Sequence, residues 1–172
     1  GAIPDRPAVK IWGADPRNSV SQPGFEQVRR LAVEKTDLFL GAASPFDIYA
    51  GRHADRLIRR EEVPTATPEW RHVITTYHTP QGDLREVFQK SACAKPGYEV
   101  EYLLKEPADI LKLLALPYEP FPFDAQPFRD ADACVGDRGL AMFWLDHAMY
   151  ALQRLIGSEN FALWSLTDEA LL

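Results

Sequence analysis

The stretch Thr79-Pro80-Gln81-Gly82-Asp83 constrains this chain more than any other. Proline has its φ already fixed for the second position of a tight turn, and glycine supplies the permissive backbone just after it. Before the turn, Trp70 to Thr79 is rich in Val, Ile, Thr, Tyr and Trp; after it, Leu84 to Lys90 alternates weakly. Such residues fit a pleated, half-buried surface. An antiparallel hairpin is predicted. Tyr98-Glu99-Val100-Glu101-Tyr102, just beyond Gly97, is expected to add a third strand, which puts the antiparallel excursion at about residues 68–104 of a single domain spanning 1–172.

On either side the rhythm is different. Ala8-Val9-Lys10-Ile11-Trp12 is an apolar run closed by Gly13 and reads as a buried strand. Phe25, Val28, Leu31 and Ala32 recur at helical spacing, and Asp37-Leu38-Phe39-Leu40-Gly41 reads as a second buried strand. Strand, helix and strand in that order predict a βαβ unit with parallel pairing, which takes crossovers rather than hairpins. Pro107 sits at the first-turn position of a helix with Ile110, Leu111, Leu113 and Leu114 on its apolar face. Pro117, Pro120, Pro122 and Pro127 mark a stiff linker, and a polar helix from about Phe128 stops at Gly136. Gly139 to Leu145 reads as a buried strand; the following helix ends at Gly157, and Ser158 can cap the next. The chain is α/β with an antiparallel decoration.

Composition limits the partners. A net charge of -6, with the basic residues scattered among carboxylates, argues against nucleic acid. The densest basic spot, Arg56 to Arg60, is followed at once by Glu61 and Glu62 and reads as a solvated loop. The two cysteines, Cys93 and Cys134, lack CxxC spacing, so neither a disulfide framework nor a Cys-rich zinc site is expected. No apolar run approaches the roughly 20 residues of a membrane span, no secretory signal is visible, and a reduced cytoplasmic setting is expected. The first residue is glycine rather than methionine, and the last residues lie inside an apolar helical pattern without a stop signal. A processed or trimmed chain is therefore expected.

Several stretches together resemble the uroporphyrinogen decarboxylase-like proteins. Pro4-Asp5-Arg6-Pro7-Ala8-Val9 is similar to their opening, and Thr36 to Gly41 looks like their second strand. Thr79 to Arg85 is similar to their hairpin, Glu101 to Asp109 to a helix start, and Gly157-Ser158-Glu159-Asn160-Phe161 to a late element. The resemblance implies the amino-terminal half of a (β/α)8 TIM barrel. It also implies one of two chemistries: zinc-dependent methyl transfer to or from a corrinoid or thiol, or carboxyl removal from a tetrapyrrole. An arginine-rich motif that grips substrate carboxylates in the decarboxylases is missing; Lys10-Ile11-Trp12-Gly13 stands in its place. That absence favours methyl transfer. The resembling methyltransferases take their His and Cys zinc ligands from the second barrel half, so no cofactor is assigned to residues here and zinc is expected only in a complete barrel.

A closed barrel of this type takes about 250 residues. The chain is expected to supply three or four barrel strands, to be inactive alone, and to need either a missing carboxyl-terminal half or a partner such as a second copy. Small molecules or a corrinoid protein are the expected partners. A binding or structural role without catalysis is the third reading.

Working residues in such barrels stand at the carboxyl ends of strands. That rule selects Asp146 and His147 as candidate catalytic residues and Lys10, Trp12 and Trp144 as candidate substrate-binding residues, with no metal ligands. Each has a plainer alternative. Asp146 can be a helix N-cap, His147 a structural histidine, and Lys10 a side chain that snorkels to solvent. Trp144 belongs with Phe143, Tyr150, Phe161 and Trp164, aromatics that either line a pocket for a flat ligand or fill a core. His72 and His78 lie about 20 Å apart along one strand face, too far to share a metal.

Overall fold

The computed structural model describes residues 7–11, 15, 17, 23–42, 49–93, 95–122, 124–145 and 147–168. In chain order the elements are α1 (Glu26–Lys35), β1 (Leu38–Gly41), α2 (Ala54–Leu57), β2 (Ile58–Pro64), β3 (Trp70–Tyr77), β4 (Leu84–Ser91), β5 (Tyr98–Glu101), α3 (Pro107–Leu114), α4 (Gln126–Val135), β6 (Gly139–Met142) and α5 (Ala148–Thr167). They fall into two compact units, Gly1–Pro45 with Phe123–Leu145 and Phe46–Pro122 with Asp146–Leu172.

The first unit is built on a parallel pair. β1 runs beside β6 in the register Leu38 with Gly139 through Gly41 with Met142, and the Ala42 N–H extends the pairing to the Met142 carbonyl at 2.8 Å. A Cβ at position 139 would stand 1.7 Å from the Leu38 carbonyl oxygen, so glycine alone permits this approach. α4 lies across the pair, and Ala131 and Val135 close a core with Leu38 and Leu40. Alternation sends the next residues to the opposite face. Leu140, paired with Phe39, is accordingly 62% exposed. The predicted buried strand from Gly139 to Leu145 therefore stops at Met142 and is buried on one face only; Trp144 and Leu145 are exposed.

Two further expectations are corrected in this unit. Residues 7–11 form no ladder strand, and Val9 is 51% exposed. Their tie to the rest is local: Val9 N–H donates to Asp37 Oδ2 at 2.7 Å, and Asp37 N–H donates to the Val9 carbonyl at 2.7 Å. α1 forms where the periodicity placed it, but of its apolar residues Ala32 is buried while Val28 and Leu31 are exposed.

The second unit holds an antiparallel sheet in the order β2-β3-β4-β5. The predicted hairpin is its centre, paired from Trp70 with Ser91 to Tyr77 with Leu84. Its turn is closed by Gly82 N–H on the Thr79 carbonyl at 3.1 Å, by the Thr79 hydroxyl on the Gly82 carbonyl at 2.7 Å, and by Gln81 N–H on that hydroxyl at 3.1 Å. β5 is the predicted third strand, joined with a bulge between Val87 and Phe88. The Arg56–Arg60 stretch is not a loop. It covers the end of α2 and the start of β2, which pairs with β3 along its whole length. A row of charges on an edge strand discourages pairing with other chains without disturbing the backbone ladder, and this is why polarity misled.

Tyr77, Leu84, Leu103, Leu104, Leu116, Ile156 and Trp164 form the core of this unit. α3 opens with Pro107 at its first turn, as its sequence predicted, and its Ile110 and Leu113 pack on that core while Leu111 and Leu114 stay exposed. Asp109 ties the start of α3 down: its Oδ2 accepts from the backbone N–H of Lys105 at 2.9 Å and of Glu106 at 3.3 Å, and its Oδ1 accepts from Lys112 Nζ at 2.7 Å. α5 breaks where the glycine signal fell: Gly157 has φ 77° and ψ 159°, with the Tyr102 ring where a side chain would go.

The resemblance implied half of a (β/α)8 barrel. Among the described residues the parallel part is a single pair of strands and no barrel closes. The fold is mixed α/β, with a two-stranded parallel and a four-stranded antiparallel sheet. No helix among the described residues is long and apolar enough to cross a membrane.

Candidate functional site

Of the five residues selected from the sequence, Trp12 and Asp146 lie outside the described residues. Lys10 and Trp144 belong to the first unit and His147 to the second. The Lys10 ammonium stands 4.3 Å from the centroid of the Phe39 ring on β1, a cation–π contact. Burial moves it below its ordinary lysine range. Trp144 follows β6 with its indole 62% exposed. His147 is the N-cap of α5: its Nδ1 accepts from the Tyr150 N–H at 3.2 Å, and the two rings lie 6.0 Å apart. Satisfying one of the orphan N–H groups at a helix start is a structural duty. It commits Nδ1 as an acceptor, which leaves the proton of a neutral ring on Nε2.

The carboxyl end of β1 carries a feature that sequence reasoning passed over. Arg17 Nη2 donates to the Gly41 carbonyl at 2.7 Å and to Asp15 Oδ2 at 2.6 Å. The Arg17 hydrogen bond holds the Asp15 carboxyl below its usual range, and Asp15 in turn raises Arg17. This pair anchors the segment after residue 11 against the strand end. The clue was a charged pair two residues apart just past the first apolar run.

The largest concavity belongs to the second unit. Arg60 on β2, Thr75 on β3 and Glu86 on β4 stand side by side across three strands. Arg154 from α5 faces the same hollow, which opens as an inner lobe of about 250 Å³ and an outer one of about 430 Å³. Arg60, Glu86 and Arg154 line both lobes. Thr75 is 2% exposed and Tyr77, next but one along β3, is 6% exposed. Burial pushes the Tyr77 phenol above its ordinary range, and the Glu86 carboxylate beside it pushes the same way. Tyr77 therefore stays protonated and acts as a donor to Glu86. Tyr49 meets Tyr77 edge-on, with centroids 5.9 Å apart, and holds a φ of 71°, an outlier for a bulky residue. In the outer lobe Glu62 is engaged by Lys90 at 3.1 Å and Arg71 at 3.5 Å.

Among the described residues no three His, Cys, Asp or Glu side chains converge as a metal site would need. These residues do not fit a zinc ion, and no step is assigned to one. Cys93 and Cys134 are exposed free thiols. Comparison with protein families, with curated proteins and with solved structures finds no match to this chain.

Proposed function

We propose that this chain is part of a uroporphyrinogen decarboxylase-like barrel whose complete form transfers methyl groups to or from a corrinoid or a thiol. The observation that supports the reading is the parallel register of β1 and β6, with residues 7–11 tied to the start of β1 through Asp37. Three stretches in that sequence order match what the opening of a parallel barrel requires. Lys10, the Arg17–Asp15 pair and Trp144 then fall at or just beyond strand ends, where such barrels hold substrate. In this reading Trp144 offers an aromatic face for stacking, Lys10 contributes positive charge beside Phe39, and Arg17 fixes the backbone at Gly41. His147 orients α5 rather than transferring a proton. Tetrapyrrole decarboxylation has less support, because the arginine at the strand end is already paired with Asp15.

One parallel pair is not a barrel, so the reading needs further strands. The deciding experiment is to purify the native gene product, measure its mass and metal content, and assay methyl transfer from a methylcorrinoid to a thiol by corrinoid absorbance. Zinc-dependent turnover that falls at least tenfold in Trp144→Ala supports the reading. A product of this size that transfers no methyl group overturns it and leaves a binding role.

A further inference from the structure

The hollow on the four-stranded sheet takes no part in the strand-end reading, and either can fail without the other. We propose that its inner lobe binds a small aromatic carboxylate, gripped by the guanidinium groups of Arg60 and Arg154.

Charge selects the sign and number of the ligand's charges. The inner lobe is lined by two arginines and one carboxylate, Glu86, a formal balance of one positive charge. A single carboxylate brings the lobe to neutrality. A phosphate dianion would bring an excess negative charge against Glu86, and a cation would face two guanidinium groups. Geometry points to the same class. Guanidinium presents a planar fork that matches the two oxygens of a carboxylate, and charge-assisted pairs of this kind are about twice as strong as neutral hydrogen bonds.

The remaining lining describes the ligand's body. Tyr49 and Tyr77 meet edge-to-face, and Ile58 and Leu155 complete the apolar wall. A flat ring adds to such an edge-to-face pair more favourably than a branched chain does. Pockets for drug-sized ligands run from about 300 to 1,000 Å³. At about 250 Å³ the inner lobe suits a smaller body, one ring with its carboxylate. The site is also partly set in advance. Tyr77 is buried in the core cluster, Thr75 is buried between Arg60 and Glu86, and Tyr49 is held at positive φ, a strained geometry of the sort that gathers at ligand sites.

Sodium benzoate titrated into the 172-residue chain, followed by amide chemical shifts, tests the assignment. The expected result is a saturable shift centred on Thr75, Tyr77, Glu86 and Arg154, weakened about tenfold or more by Arg60→Gln and by Arg154→Gln, and unchanged or tightened by Glu86→Gln. Benzylamine and inorganic phosphate are the controls. Binding of either at the same amides at lower concentration than benzoate overturns the assignment, as does a benzoate response that is linear or centred elsewhere. Should an arginine variant fail to fold by circular dichroism, Arg154→Lys keeps the charge without the fork. Its affinity is expected to fall, and an unchanged affinity refutes bidentate grip.

Discussion

Replacing Gly157 with alanine is the most incisive perturbation of this fold. The residue sits at φ 77° and ψ 159°, in a region of backbone space open essentially to glycine alone. Holding an L-residue there costs about 1–3 kcal/mol. The new Cβ would also lie 2.5 Å from Cε2 and 2.8 Å from Cδ2 of Tyr102, so the ring must move. Forcing extra volume into a packed site costs about 1–3 kcal/mol more. Alanine stiffens the unfolded chain and returns about 0.4–1 kcal/mol. The net expectation is a loss of about 2–4 kcal/mol. Urea denaturation followed by circular dichroism measures it, with an unchanged slope on denaturant showing that the loss belongs to the folded state. The same substitution beside Tyr102→Ala separates the two causes: the steric part disappears and the backbone strain remains, a coupling of about 1–3 kcal/mol. A Gly157→Ala chain within about 0.5 kcal/mol of the parent refutes the reasoning, since that is the range of an ordinary surface change.

Two other consequences are equally open to measurement. Asp109→Asn should lower stability by about 1–3 kcal/mol near neutral pH, because it weakens the carboxylate's bonds to Lys112 and to the backbone at the start of α3. Burial pushes the Asp109 carboxyl up, but those hydrogen bonds more than reverse the shift and hold it below its ordinary value. A folded value below the unfolded one gives stability that is present above the unfolded value and is lost as pH falls through the folded one. The difference between parent and variant in urea titrations should therefore shrink in acid; a difference that grows in acid contradicts the assignment. Gly139→Ala places a methyl group against the Leu38 carbonyl and should remove the parallel pair, read as lost amide-exchange protection at Leu40 and Ala141 with protection retained through β3 and β4.

What the sequence discloses here is what local chemistry encodes. The turn at Thr79 to Asp83, the stop at Gly136 and the break at Gly157 each rest on residues whose backbone preferences act over two or three positions, and each was legible. Pairing was not. An apolar run says that burial would be favourable, not that a partner is present. Val9, Leu140, Trp144 and Leu145 are apolar and exposed, while Arg59 to Glu62 are charged and lie in a ladder. The partner of β1 could not be read either, because β6 lies about 100 residues away and nothing in Leu38 to Gly41 marks it. The sheet hollow was hidden for the same reason: Arg60, Thr75, Glu86 and Arg154 come from four elements and share no motif. His147 was legible as a helix-start residue, and its capping bond gives it the plainer of its two roles.

The bridge between Gly51 and Glu119 has a bearing on how fast this chain can fold. Joining β1 to β6 closes a loop of about 100 residues, a slow event for a chain that must search for it. Once Gly51 meets Glu119, supported by Arg52 N–H on the Glu119 carbonyl at 2.8 Å, the stretch between them no longer counts toward that search. The effective loop falls to roughly a third, which lowers its closure entropy by about 1 kcal/mol. An early antiparallel sheet would thus act as a kinetic clasp, and weakening Arg52–Glu119 would slow formation of the parallel pair more than it lowers equilibrium stability.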